Sequence, residues 1–283
     1  MFIRYGFAID LVFQQPATFL TLLDVHPERR RDIVSETSFE LAPALRMHHF
    51  TDSFGNICRR IETPGGLVEL RCDGLIEDSG EPDPILPFAP QTPVEQLPPD
   101  VLRYLTASRY CETDLMAGFA WQTFGNIPGG WRRVQAICDF VHGWIRFDYG
   151  SALPTRSAAQ VFEGRVGVCR DFAHLAVTLC RCLNIPARYC NGYLGDIGVP
   201  FNPDPMDFNA WLEVYLDGVW VLFDPRHNQR RIGRITISRG RDAADTAMIS
   251  SFGQHFLQRF EVVTAEASEP PAQAQHFEQR AVA

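Results

Sequence analysis

The chain contains no lysine, because all 26 of its basic residues are arginine. No lysine side chain can therefore serve as an acyl acceptor. No run of apolar residues reaches membrane-spanning length, and the first segment, MFIRYGFAIDLVF, alternates apolar and polar residues, whereas a signal peptide has a continuous apolar stretch. These absences predict a globular protein in the cytoplasm, with no membrane partner.

Disulfides, bound ions and nucleic acid are also disfavoured. Eight cysteines occur without a CxxC pair or regular spacing, which is typical of free thiols in a reducing compartment. The formal net charge of −8 argues against a nucleic-acid partner. The sequence has no calcium loop, phosphate-binding glycine motif or other cofactor motif, and no ligand spacing surrounds His48 and His49. We therefore expect neither a metal nor a cofactor.

The pattern along the chain divides it into two domains. Alternating strands separated by turns predict an N-terminal β-sandwich over residues 1–80. Clustered prolines over residues 81–99 are typical of a linker. Residues 100–263 mix helical and strand periods and form the second domain, whereas residues 264–283 are rich in Ala, Glu, Gln and Pro and are expected to be disordered.

Besides the helix that carries the candidate site, the second domain is predicted to contain a short helix capped by Ser157 and running through Phe162, and three others. The strongest covers Trp131 to Ile145, where apolar residues recur on one face. A weaker one is expected over Asp100 to Tyr110, and another over Ala243 to Ile249. The loop from Gly195 to Met206 is irregular, and such loops often border sites.

One cysteine is placed at the beginning of a helix. In the stretch GVCRDFAHLAVTLCRCLNIPAR, apolar residues at three- and four-residue steps form a buried stripe, and Asn184 and Pro186 end the helix. Cys169 then lies in the first turn, where free backbone amides and the helix dipole lower the pKa of a thiol towards neutrality. Most free cysteines only fill space, so it is the position of Cys169 that makes it the candidate nucleophile.

A hairpin after this helix supplies two further polar residues. NAWLEVYL and VWVLFD flank Asp217-Gly218, a strong two-residue turn signal. The turn pairs Leu216 with Val219 and, farther along, Trp211 with Asp224, so Asn209 lies diagonally from Asp224 on the same face. A cysteine enzyme needs a base to take the thiol proton and a third group to orient that base.

These two motifs together resemble the transglutaminase-like superfamily of papain-type thiol enzymes, and the N-terminal β unit resembles the leading domain of bacterial members. The resemblance implies an α+β fold, in which a β-sandwich precedes a papain-like core with the cysteine helix packed on an antiparallel sheet. It implies Cys169 as nucleophile and Asp224 as the acid of the triad. The family's histidine position, just before Ala210, is occupied by Asn209.

Asparagine cannot accept a proton near neutral pH, so the resemblance leaves the chemistry open. His227 and His174 are the nearby alternatives, although the hairpin register turns His227 to the other face and the helix rotates His174 away from the cysteine. Tyr149 is a candidate to stabilise an oxyanion. The four arginines at positions 226, 230, 231 and 234 are expected to form a solvated face.

Two functions follow from this resemblance. One is acyl chemistry on a peptide or carboxamide through a Cys169 thioester, with hydrolysis favoured over crosslinking and with turnover impaired by Asn209. The other is a catalytically inactive module that binds a peptide or protein in the same groove.

Overall fold

The computed structural model describes residues 1–267. Within them, the helices are α1 (Thr113–Phe124), α2 (Trp131–Trp144), α3 (Ala158–Gly164) and α4 (Cys169–Cys182). The strands are β1 (Phe2–Phe13), β2 (Ala17–Thr21), β3 (Ile33–Ala42), β4 (Arg46–Thr51), β5 (Ile57–Thr63), β6 (Gly66–Glu77), β7 (Arg146–Phe147), β8 (Val166–Gly167), β9 (Ala187–Tyr193), β10 (Asn209–Leu216), β11 (Val219–Phe223), β12 (Ile235–Gly240), β13 (Ile249–Ser251) and β14 (His255–Ala267).

Two four-stranded antiparallel sheets form a sandwich. Their strand orders are β14-β1-β6-β3 and β13-β2-β5-β4. Alternate residues of β1 point inwards, as the period of two requires, and Ile9 is fully buried with Phe19 of β2 and Ile61 of β5 in one core. The predicted N-terminal β unit is therefore present, with a core shared by both of its sheets.

The C-terminal strands complete this sandwich. β14 pairs with β1 from Phe2–Ala267 to Phe13–His255, and β13 pairs with β2. The sandwich therefore extends beyond the predicted residues 1–80 and includes β13 and β14, which fall in the predicted domain of residues 100–263 and in the predicted tail. Residues 264–267 are the end of β14 and belong to the sheet, while residues 268–283 lie outside the described residues.

The second unit packs helices on the sheet β11-β10-β9-β12. In its buried core, the apolar face of α4 packs with α1, α2 and the inner face of β10. Leu179 of α4 belongs to the same buried cluster as Met116, Val141 and Leu212. The whole protein is α+β, as expected from the sequence, and α4 lies at the centre of the second unit. α2 begins at the predicted Trp131 and ends one residue before the predicted Ile145.

Two predicted helices are absent, and the proline-rich segment is not free. Only a single 3₁₀ turn, Leu102–Tyr104, forms in the segment expected to be helical over residues 100–110. Residues 243–248 form turns and a loop before β13. Asp83 of the predicted linker is 2.9 Å from Nε of Arg234, so this segment packs against the second unit. No helix in residues 1–267 is both long and apolar enough to cross a membrane.

Candidate functional site

The candidate thiol occupies the first residue of α4. Asp171 closes the helix start, because its Oδ2 accepts a hydrogen bond of 2.9 Å from the backbone N–H of Val168. Gly167 lets this carboxylate approach, since a Cβ at that position would lie 2.6 Å from Oδ2. The sequence prediction that Cys169 begins the helix is confirmed.

The thiol opens into a cavity of about 370 Å³. The cavity lies between the start of α4, the loop before β10 and the segment that precedes β13. Its wall is largely apolar and includes Tyr110, Leu153, Pro154, Tyr189, Ala210, Ala243, Ala247 and Met248, whereas its polar rim includes Arg170, Asn191, Asp207 and Asn209. A cavity of this size can accept a side chain or an acyl group beside the sulfur atom.

The thiol is not activated by its helix position. Burial raises the pKa of Cys169 to about 11, which outweighs the lowering by Arg226 and by the backbone of Ala210 and Arg170. The expectation of a pKa near neutrality is therefore wrong, because the apolar wall removes water from the sulfur and disfavours its charged form. The Sγ atom lies 3.9 Å from the carbonyl oxygen of Phe208, towards which the S–H points.

The hairpin has the predicted register, with Leu216 opposite Val219. Its ladder ends at Leu212–Phe223, one pair before Trp211 and Asp224. Asn209 lies on the cavity rim with Cys169, and its Oδ1 accepts a hydrogen bond of 2.7 Å from Nη1 of Arg226. Cys169 and Asn209 are thus brought together, but the Asn209 side chain bonds to Arg226 and to the backbone carbonyl groups of Leu194 and Asp207, and not to Asp224.

Asp224 is buried behind the hairpin, where it lines a separate cavity of about 250 Å³. Its Oδ2 is 2.7 Å from Nη2 of Arg234 and 2.8 Å from Nδ1 of His227. Its Oδ1 accepts the backbone N–H groups of Arg226 and His227. Burial alone would raise the pKa of Asp224, but Arg234 and His227 hold it well below its usual value. Asp224 is therefore an ionised carboxylate.

The alternative bases have different environments. His227 lines a small depression of about 60 Å³ together with Tyr149, Asp207, Asn209 and Arg226. This depression adjoins the thiol cavity, because Asp207 and Asn209 line both. The register argument that turned His227 away from the acid was wrong, because β11 ends at Phe223 and the turn at residues 225–227 brings the imidazole back to Asp224.

His174 does not face the thiol cavity as a free base. Its Nε2 accepts the backbone N–H of Ala243 at 3.1 Å, and its ring lies between Tyr110 and Tyr189 with both ring centroids at 5.0 Å. Burial, Arg170 and Arg181 lower the pKa of His174 well below its usual value. The ring is a neutral part of the core that supports the cavity wall.

The arginine cluster is not the solvated face that the sequence predicted. Arg231 and Arg234 are buried, the first within 3.5 Å of Asp196 and the second between Asp83 and Asp224. Arg230 is the exposed member. The sequence did not predict that Arg234 and His227 are the side-chain partners of Asp224. For His227, the three-residue spacing from Asp224 was a signal for a turn that brings the two side chains together.

Within residues 1–267, no group of three or more His, Cys, Asp or Glu side chains is arranged to hold a metal ion. The site consists of the thiol and its cavity, the amide at the rim and the carboxylate behind it. Proton transfer and nucleophilic attack are the chemistry that these groups can support.

Residues 120–225 match the family model described as the transglutaminase-like superfamily. The crystal structure of a candidate cysteine protease from Cytophaga hutchinsonii is similar over 96% of this chain and 93% of that one, with a TM-score of 0.80 and 29% identity. Uncharacterized proteins of Mycobacterium bovis and Mycobacterium tuberculosis are 25% identical over 236 residues, which cover 77% of this chain and 75% of theirs. The similarity thus includes both the sandwich and the domain with the thiol.

Proposed function

We propose that this protein, whose residues 120–225 match the transglutaminase-like superfamily, is a thiol protein that acts on peptide or carboxamide acyl groups through Cys169. The observation that carries the proposal is the placement of Cys169 at the first residue of α4, facing a cavity of about 370 Å³. The solved candidate cysteine protease of similar fold supports this reaction class.

In this reaction the Cys169 thiolate attacks the carbonyl carbon of the substrate. The C–N bond then breaks, the leaving amine takes a proton from water, and a thioester remains on Sγ. Water attacks the thioester, which releases the acid and restores the thiol. Because Asn209 stands at the rim in place of a base, proton removal from the thiol depends on solvent, and we expect turnover to be slow.

The test is hydrolysis of a pooled library of N-capped tetrapeptide coumarin amides, followed by mass spectrometry of the quenched protein. We expect slow release of coumarin and an acyl adduct on the peptide that contains Cys169. Cys169→Ala is the matched variant and should lose both signals. Equal release by the parent and Cys169→Ala, or no adduct and no release from the parent at any pH up to 10, would contradict the proposal.

The second candidate is a catalytically silent module that binds a peptide in the same cavity. It is favoured by the raised pKa of Cys169 and by the hydrogen bond that commits Asn209 to Arg226. Fluorescence anisotropy with the capped peptides of the library separates the two candidates. Equal affinity of the parent and Cys169→Ala, without turnover by the parent, supports the binding module, and any turnover that requires Cys169 rules it out.

A further inference from the structure

Arg226 is fixed by backbone contacts on both sides. Its N–H donates to Oδ1 of Asp224 at 3.1 Å, and its carbonyl oxygen accepts a hydrogen bond of 2.8 Å from Nδ1 of His142 in α2. Pro225 precedes it and restricts the backbone at that point. The Cα position of Arg226 is therefore held by the buried acid on one side and by a helix on the other.

The side chain of Arg226 is also held in place, by two aromatic rings and by the amide of Asn209. Its Cζ lies 4.0 Å from the ring centroid of Phe147 and 5.9 Å from that of Tyr149, and Nη1 donates to Oδ1 of Asn209 at 2.7 Å. An aromatic face and an amide oxygen orient a guanidinium without neutralising it. The half-buried cation therefore keeps its full charge beside the rim of the thiol cavity.

The neighbouring arginines differ from Arg226 because each of them has a carboxylate partner. Arg170 lies 3.3 Å from Asp171, Arg231 lies 3.5 Å from Asp196, and Arg234 is paired with Asp224. In the part of the chain that the structure describes, no carboxylate oxygen lies within ion-pairing distance of the Arg226 guanidinium. Of these four cations, Arg226 is the one without an ion pair in the described residues, and Asp207 is the nearby carboxylate on which its charge already acts.

The new anion would be the sulfur of Cys169. The charged and titratable groups around the thiol are Arg170 and Asp171 on its own helix, Asp207 before β10, Tyr110 and Tyr189 in the cavity wall, and Arg226 after β11. Burial is the largest influence on the thiol and raises its pKa, whereas Arg226 is the strongest influence that lowers it. Asp207 acts in the opposite direction to Arg226.

We propose that Arg226 is the positioning residue that supplies the counter-charge of the Cys169 thiolate, with Asn209 holding the guanidinium towards the cavity. This inference rests on the proposed function, because it concerns how the same thiol becomes a nucleophile. Arginine stays protonated, so it stabilises the thiolate but cannot take the thiol proton. That proton goes to hydroxide or to a buffer base, and the nucleophile forms increasingly as the pH rises.

The inference is tested by the rate at which iodoacetamide alkylates Cys169, measured by peptide mass spectrometry between pH 7 and 10. The S–C bond forms and iodide leaves, so the rate follows the thiolate fraction without any substrate turnover. We expect Arg226→Gln to slow the alkylation about tenfold at each pH, which corresponds to a rise of about one unit in the thiol pKa. Arg226→Lys, which keeps the charge, should restore most of the rate.

Arg230→Gln is the matched control, because it removes an exposed positive charge from the same segment and should leave the rate unchanged. Arg226→Met keeps the aliphatic contact with Phe147 and replaces Arg226→Gln if the latter does not fold, as judged by circular dichroism. Equal slowing in the Lys and Gln variants, or no slowing in the Gln and Met variants, would overturn the role of Arg226. Neither result bears on hydrolysis, whereas failure of the coumarin assay would leave the alkylation result intact.

Discussion

The Nδ1 atom of His227 lies 2.8 Å from Oδ2 of Asp224, and the same oxygen is 2.7 Å from Nη2 of Arg234. The buried acid therefore has an imidazole partner three residues along the chain and a guanidinium partner ten residues along. The carboxylate that would have to orient a histidine introduced at position 209 is therefore already engaged on both oxygens. The acid of the site is thus fixed in place before any base is added.

Replacing Asn209 by His should raise the rate of coumarin release. A positioned base contributes about 10² to 10⁴ in rate, and we expect the lower end because Asp224 is shared with His227 and Arg234. The measurement is kcat/KM across pH 6 to 9, and a new limb near the pKa of an imidazole should appear. Asn209→Gln has no basic group and is the control. A gain of the same size in the Gln variant would show that the loss of the Arg226 contact, and not a base, is responsible.

Replacing Asp224 by Asn should destabilise the fold strongly. It removes a charge from a pair in which the Asp224 and Arg234 side chains are 3% and 5% exposed, and breaking such a pair typically costs about 3–5 kcal/mol. Urea unfolding at pH 7 measures the change in the free energy of unfolding. Asp217→Asn, at the exposed hairpin turn, should change it by less than about 0.5 kcal/mol. Similar values for the two variants would mean that Asp83 alone satisfies Arg234.

Gly167→Ala should disturb the start of α4. The new Cβ would lie 2.6 Å from Oδ2 of Asp171, so the carboxylate must move off the N–H of Val168, at a cost of about 1–3 kcal/mol. The rate of Cys169 alkylation and the melting temperature should both change. Gly164→Ala is the control, since nothing lies within 4 Å of a Cβ there. If both variants behave like the parent, Asp171 does not fix the thiol position.

Acidification should destabilise the protein through His174. Because its pKa in the folded state is lowered, its contribution to stability is complete above the unfolded value of about 6.5 and is lost as the pH falls below it. The free energy of unfolding, measured by urea unfolding, should therefore fall as the pH is lowered from 7 to 5.

His174→Gln keeps an acceptor for the N–H of Ala243 and should reduce that pH dependence. His26, whose pKa burial and Arg239 lower to about 4, takes up a proton on unfolding in both proteins and leaves a residual slope. An unchanged slope in the Gln variant would place His174 outside this linkage.

Local signals predicted the parts of the site that depend on local geometry. A two-residue Asp217-Gly218 turn determines the hairpin register, and the apolar stripe together with Asn184 and Pro186 determines the extent of α4. The position of Cys169 at the start of α4 and the pairing of β10 with β11 followed from these signals.

What depends on long-range packing could not be predicted in the same way. The raised pKa of Cys169 comes from the cavity wall, part of which, Ala243 to Met248, lies more than seventy positions later in the chain. The expected helix there does not form, because Asn191 and His174 bind its backbone at Thr246 and Ala243. Arg231 and Arg234, which the sequence predicted to be exposed to solvent, are buried because the fold places carboxylate partners beside them.

The pairing of β14 with β1 joins the two ends of the described chain, from Phe2–Ala267 to Phe13–His255. During synthesis, β1 leaves the ribosome before β14, so the edge of β1 that pairs with β14 stays open until the residues between the two strands have been added. The domain with the thiol can therefore fold while the sandwich still has an open edge. A truncation before His255 would damage the N-terminal sandwich at the opposite end of the sequence and leave α4 and its sheet covalently complete.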